Sequence, residues 1–155
     1  MTPMPNAVIT GIDTHAHIFR RDLPMVAGRR YSPDYDATVE QYLAHLDACG
    51  LSHGVLIQPS FLGTDNHYMV AALQRFPERL RGVAVVDAQI SDGELDELAA
   101  AGVVGIRLNL IGKLLEDYTG PAWSGLFRRL ARRGWQVEIQ RGFADLALVV
   151  PAILE

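Results

Sequence analysis

Lysine and cysteine are almost missing: Lys113 is the only lysine and Cys49 the only cysteine in 155 residues. One cysteine rules out an intrachain disulfide, so a reducing, cytoplasmic setting is the expectation. A basic surplus is absent too, because the net charge is −4, and a nucleic-acid footprint would need one. No apolar run approaches the roughly 18 residues of a membrane helix, and residues 1–10 lack the basic start and apolar stretch of a signal peptide. There is no Gly-rich phosphate loop after the first apolar run and no Gly-x-Ser-x-Gly elbow, which weighs against a nucleotide-binding sheet. What remains is a chain with 49% hydrophobic residues, enough for one sizeable core, and a basic complement that is otherwise all arginine. Arginine's planar fork suits carboxylates, so an anionic small molecule is the natural partner.

Apolar runs alternate with helical stripes. Strands are expected at Val8–Asp13, Gly54–Gln58, Arg81–Val86, Val103–Leu110 and Trp135–Gln140. Between them, Thr38 with Gln41 and Ser91 with Glu94 have capping-box spacing, Gly50, Gly102 and Gly134 suit helix ends, and Pro121 suits a first turn. Asn66–Phe76 reads as a helix stopped by Pro77, and Ala144–Leu154 as one kinked or restarted at Pro151. Residues 18–36 read as a surface loop. Cys49 falls on the buried stripe of its helix, and Arg128, Arg129, Arg132 and Arg133 form a solvated face. Five βα repeats mean α/β with a parallel sheet. An open doubly wound sheet and part of a (β/α)-barrel of TIM type both remain open on this pattern.

The polar residues at the strand ends carry the chemistry. Asp13, Thr14, His15, Ala16 and His17 follow the first strand, and residues two apart in extended chain point to one side. His15 and His17 can converge as metal ligands or as general acid and base, or serve merely as polar residues at a loop entrance. Gln58 and Ser60, Asp87, Arg107 and Asn109, and Gln140 and Arg141 end the later strands, on the face where such folds bind ligands. An arginine inside an apolar strand is costly unless paired or turned to a polar cavity. Arg107 is therefore expected either to hold a substrate carboxylate or to pair with Asp87 or Glu138. His45, His53 and His67 fit structural or solvated roles.

The segment Asp13-Thr-His-Ala-His17 resembles the first-strand metal motif of the amidohydrolase superfamily. Arg30-Tyr-Ser-Pro33, Gln58 to Asn66, Arg81 to Val85 and Gly105 to Asn109 are similar to the branch of lactonase-like, metal-dependent hydrolases that act on pyrone dicarboxylates. The resemblance implies a TIM barrel of which residues 1–155, one domain, supply the first five βα units. It also implies water attack on the polarised carbonyl of a small acidic lactone, ester or amide-like substrate. His15, His17 and Arg107 would be catalytic, with Tyr31, Gln58, Ser60, Arg107, Asn109 and Lys113 against the substrate. Zinc or manganese on His15 and His17 is one expectation; the other is no metal, the two rings polarising the carbonyl directly. The family's later-strand histidine and last-strand aspartate have no counterpart before Glu155, which implies a fragment with an open sheet edge and a possible homo-oligomer. A metal-dependent decarboxylase of the same barrel and an inactive truncated barrel are the alternatives.

Overall fold

A computed structural model describes residues 8–154; the reading of residues 1–7 lies outside them. Strands β1 (Ile12–Ala16), β2 (His53–Ile57), β3 (Leu80–Ala84), β4 (Val103–Asn109) and β5 (Gln136–Gln140) alternate with helices. These are α1 (Val39–Ala48), α2 (His67–Arg75), α3 (Asp92–Ala101), α4 (Pro121–Arg132) and α5 (Leu146–Leu154). All neighbouring strands are parallel, and the spatial order is the chain order, β1-β2-β3-β4-β5. That order decides between the two architectures. A doubly wound sheet reverses direction at a switch point, whereas a barrel adds each strand beside the last. The unit is a curled half-barrel, five strands of a TIM-type (β/α) fold.

Local chemistry accounts for the helix boundaries. Thr38 and Gln41 exchange both capping-box hydrogen bonds at the start of α1, and Ser91 and Glu94 do the same for α3. Gly50 and Gly102, with φ of 69° and 104°, turn the chain out of those helices in a conformation that costs an L side chain. Pro121 opens α4, and Pro151 lies within an α5 that runs on past it. Leu46, Leu73, Leu95 and Leu126 from the helices meet Leu56, Leu80 and Ile106 from the strands, all fully buried. At about 1.5–3 kcal/mol per buried side chain, this layer holds the helices on the convex face.

Four expectations need correction. β1 begins at Ile12 and runs through His15, because Val8 and Ile9 are exposed and have no strand partner. The stretch 18–36 is not simply surface. Ile18 is buried in the main core, and Phe19 is buried against Phe61 and Leu62 and bridges antiparallel to Ala37. Cys49 is exposed at the C-terminal cap of α1, past the buried face. Arg129 and Arg133 are not free in solvent. Arg129 donates to Ile90 O, and Arg133 pairs with Asp92 and Asp96, tying α4 to α3.

Candidate active site on the concave face

The first strand is shaped by an aspartate. Asp13 Oδ1 accepts the backbone N–H of His15 at 3.1 Å, and its Oδ2 accepts the Tyr42 hydroxyl at 3.1 Å. Tyr42 in turn packs over Gly54, where a Cβ would sit 2.2 Å from its oxygen. The β1–β2 register shifts between Asp13 and Ala16, so the strand is irregular where the histidines begin. His15 and His17 nonetheless converge, with ring centroids 5.1 Å apart and planes at 81°.

The two rings have different hydrogen-bonding lives. His17 Nδ1 lies 2.7 Å from the carbonyl oxygen of Ile57, which can only accept, so Nδ1 carries the proton. Burial holds this ring below its ordinary 6.5; the Ile57 bond opposes that, and Arg107 and His15 add to the lowering. The neutral ring therefore keeps a lone pair on Nε2. His15 is half exposed and turns Nδ1 toward Glu138 Oε2 at 3.6 Å.

That contact joins the first strand to the fifth. In a flat sheet, four strand spacings would separate them by about 19 Å, so the contact crosses the inside of the curl. Glu138 stands opposite Arg107 in the β4–β5 register, and its Oε1 lies 3.1 Å from Arg107 Nε. Arg107 is 6% exposed, and its Nε–H is not aimed at the carboxylate, so it has no hydrogen-bond acceptor. Burial first of all lowers its proton affinity, against the attraction of Glu138. Two residues further along, on the same face, Asn109 stands opposite Gln140, and the side-chain oxygens of both are buried without a donor. Unsatisfied polar atoms gathered on one seam are the mark of a place where something else binds.

His15, His17 and Arg107 are thus brought together around Glu138, and Asn109 lies beside them on the same face. Of the two ion-pair partners considered for Arg107, Glu138 is the one found. Ser60 is half-buried at the end of β2, and Tyr31 is exposed with its ring 6.1 Å from Phe61. Gln58, expected at the substrate, is buried and braces its own loop through Nε2, while its Oε1 is left without a donor, as are the side-chain oxygens of Asn109 and Gln140. Its Nε2 donates to Gly63 O at 3.1 Å and Asp65 O at 2.7 Å. Asn66 completes this brace by bonding both the N–H and the carbonyl of Val85. Lys113 stands exposed in the β4–α4 loop; its backbone N–H donates to Leu110 O and its carbonyl accepts from Arg141. Glu138 is the residue that motif reading passed over as a site member. The alternation Gln136, Glu138, Gln140 beside Arg107 and Asn109 was the available signal.

Comparison with known proteins follows the same outline. A family model described as amidohydrolase matches residues 12–154. A 2-pyrone-4,6-dicarboxylate hydrolase of Comamonas testosteroni is 35% identical over 87% of this chain and 45% of its own length. A 4-sulfomuconolactone hydrolase of Rhizobium radiobacter is 34% identical over 82% of this chain and 41% of its own. A crystal structure of a probable 2-pyrone-4,6-dicarboxylic acid hydrolase from Acinetobacter baumannii, with citric acid bound, superposes with a TM-score of 0.91 at 43% identity. It is covered over 54% of its chain, against 94% of this one. The chain spans about half the length of the relatives it matches. The half-barrel, the paired histidines at the end of its first strand and a family match along nearly all of its described length place this chain in the amidohydrolase family.

Proposed function

We propose that this chain supplies the binding and activating face of a hydrolase that opens a small acidic lactone, or a related ester or amide-like bond, by water attack. It stands as a single (β/α) domain, the first five units of the barrel. The observation that carries the reading is the meeting of His15, His17 and Arg107 around Glu138 at the inner face of the sheet. Relatives named as hydrolases of pyrone dicarboxylate and sulfomuconolactone support the substrate class.

Arg107 holds a carboxylate of the substrate by its charged fork. The expectation that both rings polarise the carbonyl is revised. His17 spends its Nδ1–H on Ile57 O, so a neutral His17 accepts a proton and cannot donate one. It takes the proton of the attacking water and returns it to the ring oxygen that leaves; the donor role falls to His15, whose Nδ1 stands 3.6 Å from Glu138, too far for a hydrogen bond to commit its N–H. A divalent ion, the other expectation, would find two imidazoles here. Zinc needs at least three protein ligands, and among the described residues no group of three or more His, Cys, Asp or Glu is placed to hold a metal. The described residues do not make up a metal site, so no step is assigned to one.

The test is ring opening of 2-pyrone-4,6-dicarboxylate by the 155-residue chain, followed by ultraviolet absorbance with and without a chelator. Turnover should fall at least about 100-fold in His15→Ala and His17→Ala, the ordinary scale of acid–base catalysis. Turnover that survives both substitutions sinks the reading, as does a chain that neither binds nor opens the lactone. Loss of activity in chelator alone would move the chemistry to a metal.

A further inference from the structure

The β4–β5 ladder ends at the hydrogen bond from the Leu110 N–H to Gln140 O. The next tie between the two strand ends is a side chain. Arg141, 17% exposed, donates from Nη1 to the carbonyl oxygens of Leu110 and of Lys113, the latter at 2.7 Å. Its Nε donates to Asp145 Oδ2 at 2.8 Å. Leu110 and Lys113 are the two ends of one turn, closed by the Lys113 N–H on Leu110 O at 3.2 Å and shaped by Gly112 at a φ of 74°. One guanidinium therefore grips both ends of the turn that leads off β4, and Asp145, in the β5–α5 connection, holds the guanidinium. With Nε and Nη1 given to protein acceptors and its charge balanced by Asp145, Arg141 is built to hold a loop rather than to receive a ligand.

What this clamp presents is Lys113, the only cation in residues 110–120. Its side chain is exposed, while its backbone N–H and carbonyl are both held. The turn begins one residue past Asn109, at the end of the strand that carries Arg107. The rest of the loop is anchored separately, by buried Tyr118 against Trp123, whose Nε1–H donates to Glu116. A merely solvated turn has no need of a largely buried guanidinium, whose desolvation is costly. We infer that Arg141 is a positioning residue, which fixes the β4–α4 turn so that Lys113 meets the anionic substrate bound at Arg107. The inference rests on the reading of this face as the substrate site. Lysine is a point charge on a flexible stem, so its backbone has to be fixed for the ammonium to be found in one region. Ordering a free loop at the moment of binding would cost affinity instead. Arg141 thus acts on the ligand only through Lys113.

A lysine-specific endoprotease has one target in this chain, the bond after Lys113. Cleavage of the 155-residue chain, followed by mass spectrometry, should be at least about ten-fold faster in Arg141→Gln than in wild type, the scale of one charged hydrogen bond lost from the turn. Calorimetric titration with 2-pyrone-4,6-dicarboxylate reads the consequence for binding. Lys113→Gln and Arg141→Gln should each bind about ten-fold more weakly. The double variant should bind no more weakly than Lys113→Gln alone, because the two residues act as one unit. Losses that add, an unaffected Lys113→Gln, or equal cleavage of wild type and Arg141→Gln overturn the inference, while binding that still falls in Arg107→Met leaves the broader reading standing. Binding that ignores Arg107→Met, or no binding by wild type, overturns both. Should Arg141→Gln fail to fold, wild type labelled with ¹⁵N-lysine shows a single backbone amide peak from lysine, that of Lys113. Its order parameter should be that of rigid backbone, about 0.85, and the peak should move when the diacid binds. A value below about 0.6, or a peak that stays in place with the diacid bound, overturns the inference.

Discussion

Replacing Arg107 with methionine separates a binding residue from a structural ion pair, because the two roles predict opposite patterns. Consider stability first. Arg107 is almost fully buried, burial is the leading influence on its charge, and its Nε–H makes no hydrogen bond that deletion could break. What deletion leaves behind is Glu138. Breaking a fully buried pair costs about 3–5 kcal/mol through the stranded partner. Here the partner is 25% exposed and 3.6 Å from His15, so water and the imidazole take up most of that penalty. Methionine fills similar volume without charge. The net change should be about 1 kcal/mol in either direction, or about 2–4 °C in Tm for a chain of this size. Binding should behave differently. A guanidinium–carboxylate contact contributes about 1.5–3 kcal/mol, so affinity for 2-pyrone-4,6-dicarboxylate should fall about 10- to 150-fold. Thermal melts and calorimetry on the same preparation read both numbers. A loss above about 3 kcal/mol of stability, with affinity unchanged in the folded fraction, would refute the argument and make Arg107 a structural cation.

Gly54→Ala should cost about 1–3 kcal/mol in urea unfolding, because the added methyl would meet the Tyr42 oxygen at 2.2 Å and its ring carbons at 2.8 Å; an unchanged midpoint would mean that Tyr42 does not pack there. Acid should weaken the fold through His17. Its folded-state affinity for protons is held below the 6.5 of the unfolded chain, so the unfolded state binds the proton first as pH falls. The penalty sets in below pH 6.5 and is complete once pH has passed below the depressed folded value. Melts from pH 8 to 5 should show this decline in wild type and a flatter profile in His17→Asn. Equal slopes would dismiss His17 as the source.

How much of this was readable beforehand follows from how local each feature is. The two capping boxes, the glycine helix ends and Pro121 at the head of α4 depend on residues within four positions of one another, and all stand as read. The strand order was not local. An α/β alternation suits either a wound sheet or a barrel, and only the residues at the strand ends favoured the barrel. Errors came where tertiary packing overrode composition. The polar stretch 18–36 hides Ile18, which joins the main core, and Phe19, which Phe61 and Leu62 arrive from the next loop to cover. The loop bonds of Gln58 were equally hidden: it was read by its place at a strand end, yet its amide N–H₂ also turns back to hold its own loop, with Oε1 still unpartnered. Glu138 was weighed only as a possible ion-pair partner. Its neighbours in space, His15 and Arg107, are 123 and 31 positions away in sequence.

The His-x-His spacing carries less of the site than it first suggests. In a regular strand, residues two apart share a side at a fixed spacing, with nothing to set them at right angles. Here the β1–β2 register slips between Asp13 and Ala16, and the rings meet edge to face. Two anchors outside the motif set that geometry: the Asp13 carboxylate on the His15 backbone, and the Ile57 carbonyl on the His17 ring. Asp13 is itself held by Tyr42, which needs the bare Cα of Gly54 to lie where it does. A residue pair two apart is common in any chain. A pair backed by an aspartate, a helix tyrosine and a glycine on the next strand is a built feature. Those three supports behind His15, and the Ile57 carbonyl that takes the His17 N–H, explain why the imidazoles arrive at the concave face in different hydrogen-bonding roles.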